Sequence, residues 1–165
     1  MSPGQYVAEI HDGFRLEIKD AGWQEANTLP ENLQDVEPML FLSRIEDPNQ
    51  RLIIDTGPTP PKVDEGDLMP DLTGIQVSSP TAVNIGGTTG LQVDLTPSES
   101  MELRVPVVPD TGYQVEPGNT YRLIVTQLPM GEESGIKLIL ISAPTASWST
   151  FLPIADQVVQ SLRFG

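Results

Sequence analysis

Apolar and polar residues alternate in short runs along most of this chain, the two-residue period of strands with one buried face. Gln5–Ile10 and Phe14–Ile18 are the first such runs, with His11-Asp12-Gly13 between them. Asp-Gly readily adopts the backbone of a tight hairpin turn, so the pair predicts an N-terminal β-hairpin. Met39–Ile45 and Arg51–Asp55 flank Asp47-Pro48-Asn49-Gln50, a turn sequence, and predict a second hairpin with Met39, Phe41 and Ile45 on one face. Ile75–Val77 and Ala82–Ile85 read as short extended pieces. Gly86-Gly87-Thr88 then turns the chain into Thr89–Leu95, with Thr89, Leu91, Val93 and Leu95 inward and Gln92 and Asp94 outward. Leu103–Val108 predicts a strand at a sheet edge, because Pro106 has no N–H to give to a ladder. Thr120–Leu128 and Ile136–Ala143 predict the strongest strand pair. Ile136–Ile141 is apolar on both faces except at Lys137, which implies a strand covered on both sides.

The pattern changes near the C-terminus. From Ser147, a residue suited to an N-cap, Trp148, Phe151, Leu152, Ala155, Val158, Val159 and Leu162 recur at helical spacing. Pro153 lies inside this run and predicts either a separate first turn or a kink. Residues 56–74 have neither period. They are rich in proline and carboxylates and read as a long loop. The whole is an α+β chain: a central antiparallel β-sheet with an N-terminal hairpin and a C-terminal helix packed on one face. Its 165 residues suit a single domain, 1–165, with the Pro/acidic loop at 56–74.

Composition narrows the function classes. The formal net charge is −14, from 23 acidic residues against nine Lys and Arg. A phosphate backbone would be repelled, so nucleic acid is excluded as a partner, and anionic membrane surfaces are disfavoured. No apolar run is long enough to span a bilayer, so this segment is not expected to insert directly. The chain has no cysteine, which removes disulfides, thiolate metal sites and thiol nucleophiles. The opening MSPGQY has neither the basic nor the apolar region of a signal peptide.

One motif suggests catalysis. Ile53-Ile54-Asp55-Thr56-Gly57 matches the apolar-apolar-Asp-Thr-Gly stretch in which aspartic peptidases present a carboxylate, and Asp110-Thr111-Gly112 repeats the tripeptide. Two carboxylates sharing a proton would form a dyad. Yet Pro58 removes an amide just after the first copy, no apolar strand leads into the second, and the two lie too close in sequence for a two-lobed enzyme. Asp-Thr-Gly as a strand exit is the competing reading. The glycine-rich Ile85–Gly90 is followed by a strand with no nearby Lys, so it reads as a hairpin turn and not a phosphate cradle. Asp64, Glu65, Asp67 and Asp71 do not have EF-hand spacing and read as a solvated loop. His11, the only histidine, falls in a turn, and no Gly-x-Ser-x-Gly elbow is present. Trp23 and Trp148 read as packing residues. No catalytic, cofactor-binding or metal-ligating residue is assigned.

Three pieces in order resemble the PsbP-like α+β superfamily: Gly13-Phe14-Arg15-Leu16-Glu17-Ile18 leading to Gly22-Trp23; Val83-Asn84-Ile85-Gly86-Gly87 entering a strand; and Trp148, Phe151-Leu152-Pro153 with Ser161-Leu162-Arg163-Phe164. The superfamily includes a photosystem extrinsic subunit, a Ran-binding protein, bacterial lipoproteins and secretion adaptors. The resemblance implies a central antiparallel sheet flanked by helices but no single function, because this fold serves as a binding or adaptor module in unrelated settings; the expected partner is a protein, and no cofactor is expected. The expected function is a non-catalytic binding or accessory domain of a bacterial envelope or secreted protein, its leader absent from this sequence. The alternatives are a cytoplasmic adaptor or chaperone for a secreted partner, and an aspartic-type peptidase acting through Asp55 and Asp110.

Overall fold

In the computed structural model, which describes residues 1–8, 14–25, 39–57, 74–105, 108–126 and 135–164, thirteen strands and one helix follow one another. They are β1 (Gly4–Ala8), β2 (Phe14–Ile18), β3 (Trp23–Glu25), β4 (Met39–Arg44), β5 (Arg51–Gly57), β6 (Ile75–Val77) and β7 (Thr81–Ile85). Then come β8 (Thr88–Pro97), β9 (Met101–Val105), β10 (Val108–Val115), β11 (Asn119–Thr126), β12 (Gly135–Pro144), α1 (Trp148–Ser161) and β13 (Arg163–Phe164). Eight strands make one antiparallel sheet in the order β3-β4-β5-β12-β11-β8-β6, with β7 also paired to β8. The fold is α+β, as the residue pattern predicts.

The β11–β12 pair forms the middle of this sheet, in register from Asn119↔Pro144 to Val125↔Leu138. Leu138, Ile139, Leu140 and Ile141 are all buried, so β12 is covered on both sides. Ile139 and Ile141 join Leu52, Ile54, Leu40, Leu42 and Ile124 beneath α1 and β2, while Leu138 and Leu140 join Ile53, Leu123, Val125 and Val93 beneath the β9–β10 hairpin. The molecule therefore has three layers. On one side lie α1 and the small sheet β1-β2-β13; on the other lies the two-stranded sheet β9-β10. Burial of each large apolar side chain in such a core contributes about 1.5–3 kcal/mol.

Helix α1 follows the apolar spacing: Phe151, Ala155, Val158 and Val159 are buried. Phe151 packs on the fully buried Trp23, ring centroids 5.8 Å apart and tilted, and the Arg44 guanidinium lies 5.5 Å from the Trp23 ring. The helix does not begin anew at Pro153. It is one element from Trp148, with Pro153 inside it; the bond that the proline cannot make is to the carbonyl of Ser149, and both residues are exposed, where water can take its place. Ser147 occupies the N-cap position but makes no side-chain cap; its Oγ reaches the Pro144 carbonyl at 3.2 Å. At the other end Leu162 turns extended and leads into β13, which pairs with β2.

The turns behave as their residues require. Asp47 accepts from Asn49 N–H on its side chain (3.1 Å) and from Gln50 N–H on its carbonyl (2.9 Å), closing the β4–β5 hairpin. Gly86 and Gly87 have φ of 60° and 89°, the two positive values that a tight hairpin turn demands, and β7 pairs into β8 from Ile85↔Thr88.

Three expectations need correction. β4 is not buried on one face only: Leu40 and Leu42 enter the helix-side core and Phe41 the hairpin-side core, because β4 lies between β3 and β5 under both layers. Ile45 follows the strand and is exposed. Thr89 shares the face of Leu91 and Val93 but is also exposed, at the start of β8. The strand expected over Leu103–Val108 is two strands, since β9 ends at Val105 and β10 returns from Val108. Val108–Val115 carries Pro, Asp and Gly, residues that read as a turn until a partner strand supplies the ladder. The turn at His11 and most of the 56–74 loop, with Asp64, Glu65, Asp67 and Asp71, lie outside the described residues.

Gly90 is buried where β8 passes β11, and a Cβ there would sit 2.5 Å from the Val125 carbonyl oxygen. Neither backbone can yield cheaply within a sheet. Gly90→Ala is expected to lower unfolding free energy by about 1–3 kcal/mol, read as a reduced urea midpoint at unchanged slope.

Candidate functional site

The first Asp-Thr-Gly does not leave the strand. β5 continues through it, pairing Asp55 with Leu138, Thr56 with Ile136 and Gly57 with Gly135, with a bulge in β12 between Ile136 and Leu138. The expected strand exit is thus strand interior, because β12 is long enough to pair past it. Ile53 faces the β9–β10 side, and two residues on so does Asp55. The Asp55 carboxylate is 0% exposed, and the Tyr113 hydroxyl of β10 donates to its Oδ2 at 2.7 Å. Burial first, then the Asp55 charge and this hydrogen bond, pushes the Tyr113 phenol well above its ordinary range.

The second Asp-Thr-Gly lies in β10 at a register irregularity between Val108 and Gly112. The side chain of Asp110 lies outside the described residues. Asp55 thus has its carboxylate enclosed between two layers and engaged by a tyrosine. An active-site carboxylate needs contact with substrate, and among the described residues that of Asp55 is 0% exposed.

An open polar groove lies elsewhere among the described residues. A groove of about 310 Å³ runs between α1 and β2, lined by Glu17, Lys19, Asp156, Gln157, Gln160 and Arg163, with Pro153 and Ser161. Five of these, Pro153, Asp156, Gln157, Gln160 and Ser161, come from α1, Glu17 and Lys19 come from β2 and its exit, and Arg163 comes from β13. Ser161 fixes the two walls: its Oγ accepts from Glu17 N–H at 2.8 Å and lies 2.6 Å from the Val158 carbonyl. The lining mixes carboxylates, cations and amides, a surface suited to a polar chain and not to an apolar small molecule.

Behind the groove, Asp156 is tied to the sheet. Arg122 of β11, its side chain 14% exposed, grips Asp94 of β8 with Nε–Oδ1 at 2.7 Å and Nη2–Oδ2 at 3.0 Å. Its Nη1 reaches Asp156 Oδ2 at 3.4 Å. The Asp94 hydrogen bonds hold the Arg122 guanidinium in its charged form. Burial raises the Asp156 carboxyl above its usual range, with Arg122 opposing and Asp94 reinforcing. None of the groove residues stands out in sequence, since each is an ordinary polar residue of an amphipathic element. Arg122 did carry a signal, as the only charge in Tyr121–Thr126. Among the described residues no group of three His, Cys, Asp or Glu could hold a metal ion, and no helix is long and apolar enough to cross a membrane.

Two outcomes follow. Tyr113→Phe removes a buried donor from Asp55 and is expected to cost about 1–3 kcal/mol at neutral pH. The raised phenol means the folded state keeps its proton where the unfolded chain loses it. That stability is intact below about pH 10 and falls as pH rises further, so denaturant titrations should show a shallower alkaline loss in Tyr113→Phe than in the parent. For Asp156 the raised carboxyl makes ionisation unfavourable to the fold: its contribution is present below about pH 4 and lost above it. Asp156→Asn should therefore raise the thermal midpoint at pH 7 and converge on the parent near pH 3.

No protein-family model matches the sequence, and no curated protein matches it. Solved structures that are similar in shape include the following two. The solution structure of cyanobacterial PsbP (CyanoP) from Synechocystis sp. PCC 6803 has a TM-score of 0.56 and 14% identity, covering 99% of this chain and 93% of that one. The crystal structure of LpqN, involved in cell envelope biogenesis of Mycobacterium tuberculosis, has a TM-score of 0.54 and 14% identity, covering 99% of this chain and 91% of that one. At that identity the likeness is one of architecture, and it agrees with the layers above: the chain has the PsbP-like fold.

Proposed function

We propose that this chain is a non-catalytic binding or accessory domain of a bacterial envelope or secreted protein. Residues 1–165 would act as one domain, taking a polar protein segment in the groove between α1 and β2. The observation that carries the reading is the contrast between the two polar sites. The carboxylate in the catalytic-looking motif is enclosed and held by Tyr113, while the accessible groove offers Lys19 and Arg163 beside Glu17 and Asp156 with no nucleophile–base pair. Such a lining orients a polar chain through hydrogen bonds and complementary charge. LpqN, a neighbour in fold, is described by a role in cell envelope biogenesis, which supports the envelope setting.

The test is site-specific photocrosslinking in the native host, with a benzophenone side chain at Gln157 and a control at the exposed Glu46, away from both the groove and the sheet edge. The expected result is one discrete adduct from Gln157, found in the envelope or secreted fraction and lost when Lys19 and Arg163 are both changed to Glu. A cytoplasmic adduct would favour the adaptor alternative. Cleavage of a peptide at acid pH by the purified chain, abolished in Asp55→Asn, would overturn the non-catalytic reading.

A further inference from the structure

We propose that β7, on the open edge of the central sheet, is a strand-addition site for an extended, neutral-to-basic segment of another protein. This rests on the sheet edge alone and is independent of the groove. β6 and β7 both pair with β8, and in the same direction. Val77 faces Leu95 and Thr81 faces Gln92, so Ser78, Ser79 and Pro80 oppose only Val93 and Asp94. The two strands are thus one edge strand interrupted by a one-residue bulge. Ser78 holds the ladder across it: its N–H donates to the Asp94 carbonyl at 2.9 Å, and its Oγ accepts from Asp94 N–H at 2.8 Å.

Bulges and prolines are devices that close an edge, and they close this one at Ser78–Pro80. They do not protect the five residues of β7. Thr81, Ala82 and Asn84 are exposed, and among the described residues no strand pairs with the outer side of β7. Charge, the usual edge guard, is missing. No residue from Gly74 to Val93 is charged, in a chain with 23 acidic and nine basic residues. Other edges are guarded: β3 ends in Glu25, β9 carries Glu102 and Arg104, and β13 begins with Arg163. β1 is also uncharged, but it borders the small sheet and is preceded by Pro3. Thr, Val and Ile in β7 suit a pleated ladder.

Charge selects the occupant. A second copy would bring −14 against −14, which opposes self-pairing. The carboxylate of Glu99 is exposed beside Gly74 at the far end of the same edge and would attract Lys or Arg. An extended segment that pairs by backbone and carries no net negative charge fits both facts.

The purified chain is to be titrated with three labelled decapeptides by fluorescence anisotropy. One alternates Val with Thr and Lys, the second has Glu for Lys, and the third has a central Pro. The expected result is binding of the basic peptide about ten-fold tighter than the other two, with amide hydrogen exchange slowed at 81–85. Ala82→Lys and Asn84→Lys should each weaken it about ten-fold at an unchanged thermal midpoint, and Gln157→Arg in the groove should leave it unchanged. Equal binding of the basic and acidic peptides, no slowing at 81–85, or slowing at Gly4–Ala8 instead would overturn the proposal. So would a dimer in sedimentation velocity that Ala82→Lys dissolves, which would make the occupant a second copy.

Discussion

Two-sided burial of β12 is the constraint from which the rest of the fold follows. A strand with Leu138 and Leu140 on one face and Ile139 and Ile141 on the other cannot rest on a single layer. It requires cover above and below, and neighbours β5 and β11 that bury apolar residues on both faces, Leu52, Ile54 and Ile124 on one and Ile53, Leu123 and Val125 on the other. One cover is built from the two chain ends, with β2 and α1 meeting over Trp23 and Phe151. The other is the β9–β10 hairpin, placed by Leu103, Val105, Tyr113 and Val115. Neither cover has an apolar area of its own that could be stable alone; each is stable because the sheet needs it.

Apolar layers can slide, and this chain places one polar tie on each face. Asp55 on β5 meets Tyr113 on the hairpin, and Arg122 on β11 meets Asp94 and Asp156 toward the helix. A buried carboxylate is a poor source of net stability, since its desolvation offsets most of the gain. Its geometry is strict, however. A hairpin shifted by one residue would bury Asp55 without Tyr113 and place Gln114 or Gly112 over it, so the wrong register is penalised more than the right one is rewarded. The same logic makes the groove between α1 and β2 a rigid feature, because Asp156 is held from beneath by Arg122 and Ser161 grips β2.

Elements whose identity depends on local period were legible in the sequence: the β1–β2 and β4–β5 hairpins, the Gly86-Gly87 turn, the β11–β12 pair and α1 with its buried face. What was not legible depends on partners. Asp55-Thr56-Gly57 has turn chemistry in isolation and is strand only because β12 pairs past it. Val108–Val115 carries Pro109 and Gly112 against its assignment and is strand only because β9 lies alongside. Phe41 and Leu42 both face cores because β4 is interior, a fact of strand order that no periodicity contains. The groove was hidden for a similar reason. Lys19, Asp156 and Arg163 are distant in sequence and unremarkable singly, and only the return of the C-terminal segment onto β2 brings them together.

Electrostatics decides where another chain can approach. With 23 acidic residues and nine basic ones, most carboxylates have no cation of their own, and the surface repels anything similar. Arg122 is already committed to two carboxylates and Arg104 to Glu102, which leaves few cations to receive an acidic partner. Strand pairing is the most demanding approach, since it brings two backbones within about 4.8 Å and places side chains directly opposite one another. In so acidic a chain such contact is tolerable only where charge has been withheld. Gly74–Val93 is that place: it spans the bulged β6–β7 edge and leads into β8, so the uncharged segment and the open ladder coincide. A surface selected only for solubility would scatter its carboxylates there as elsewhere, so the coincidence favours an edge kept clear for a partner.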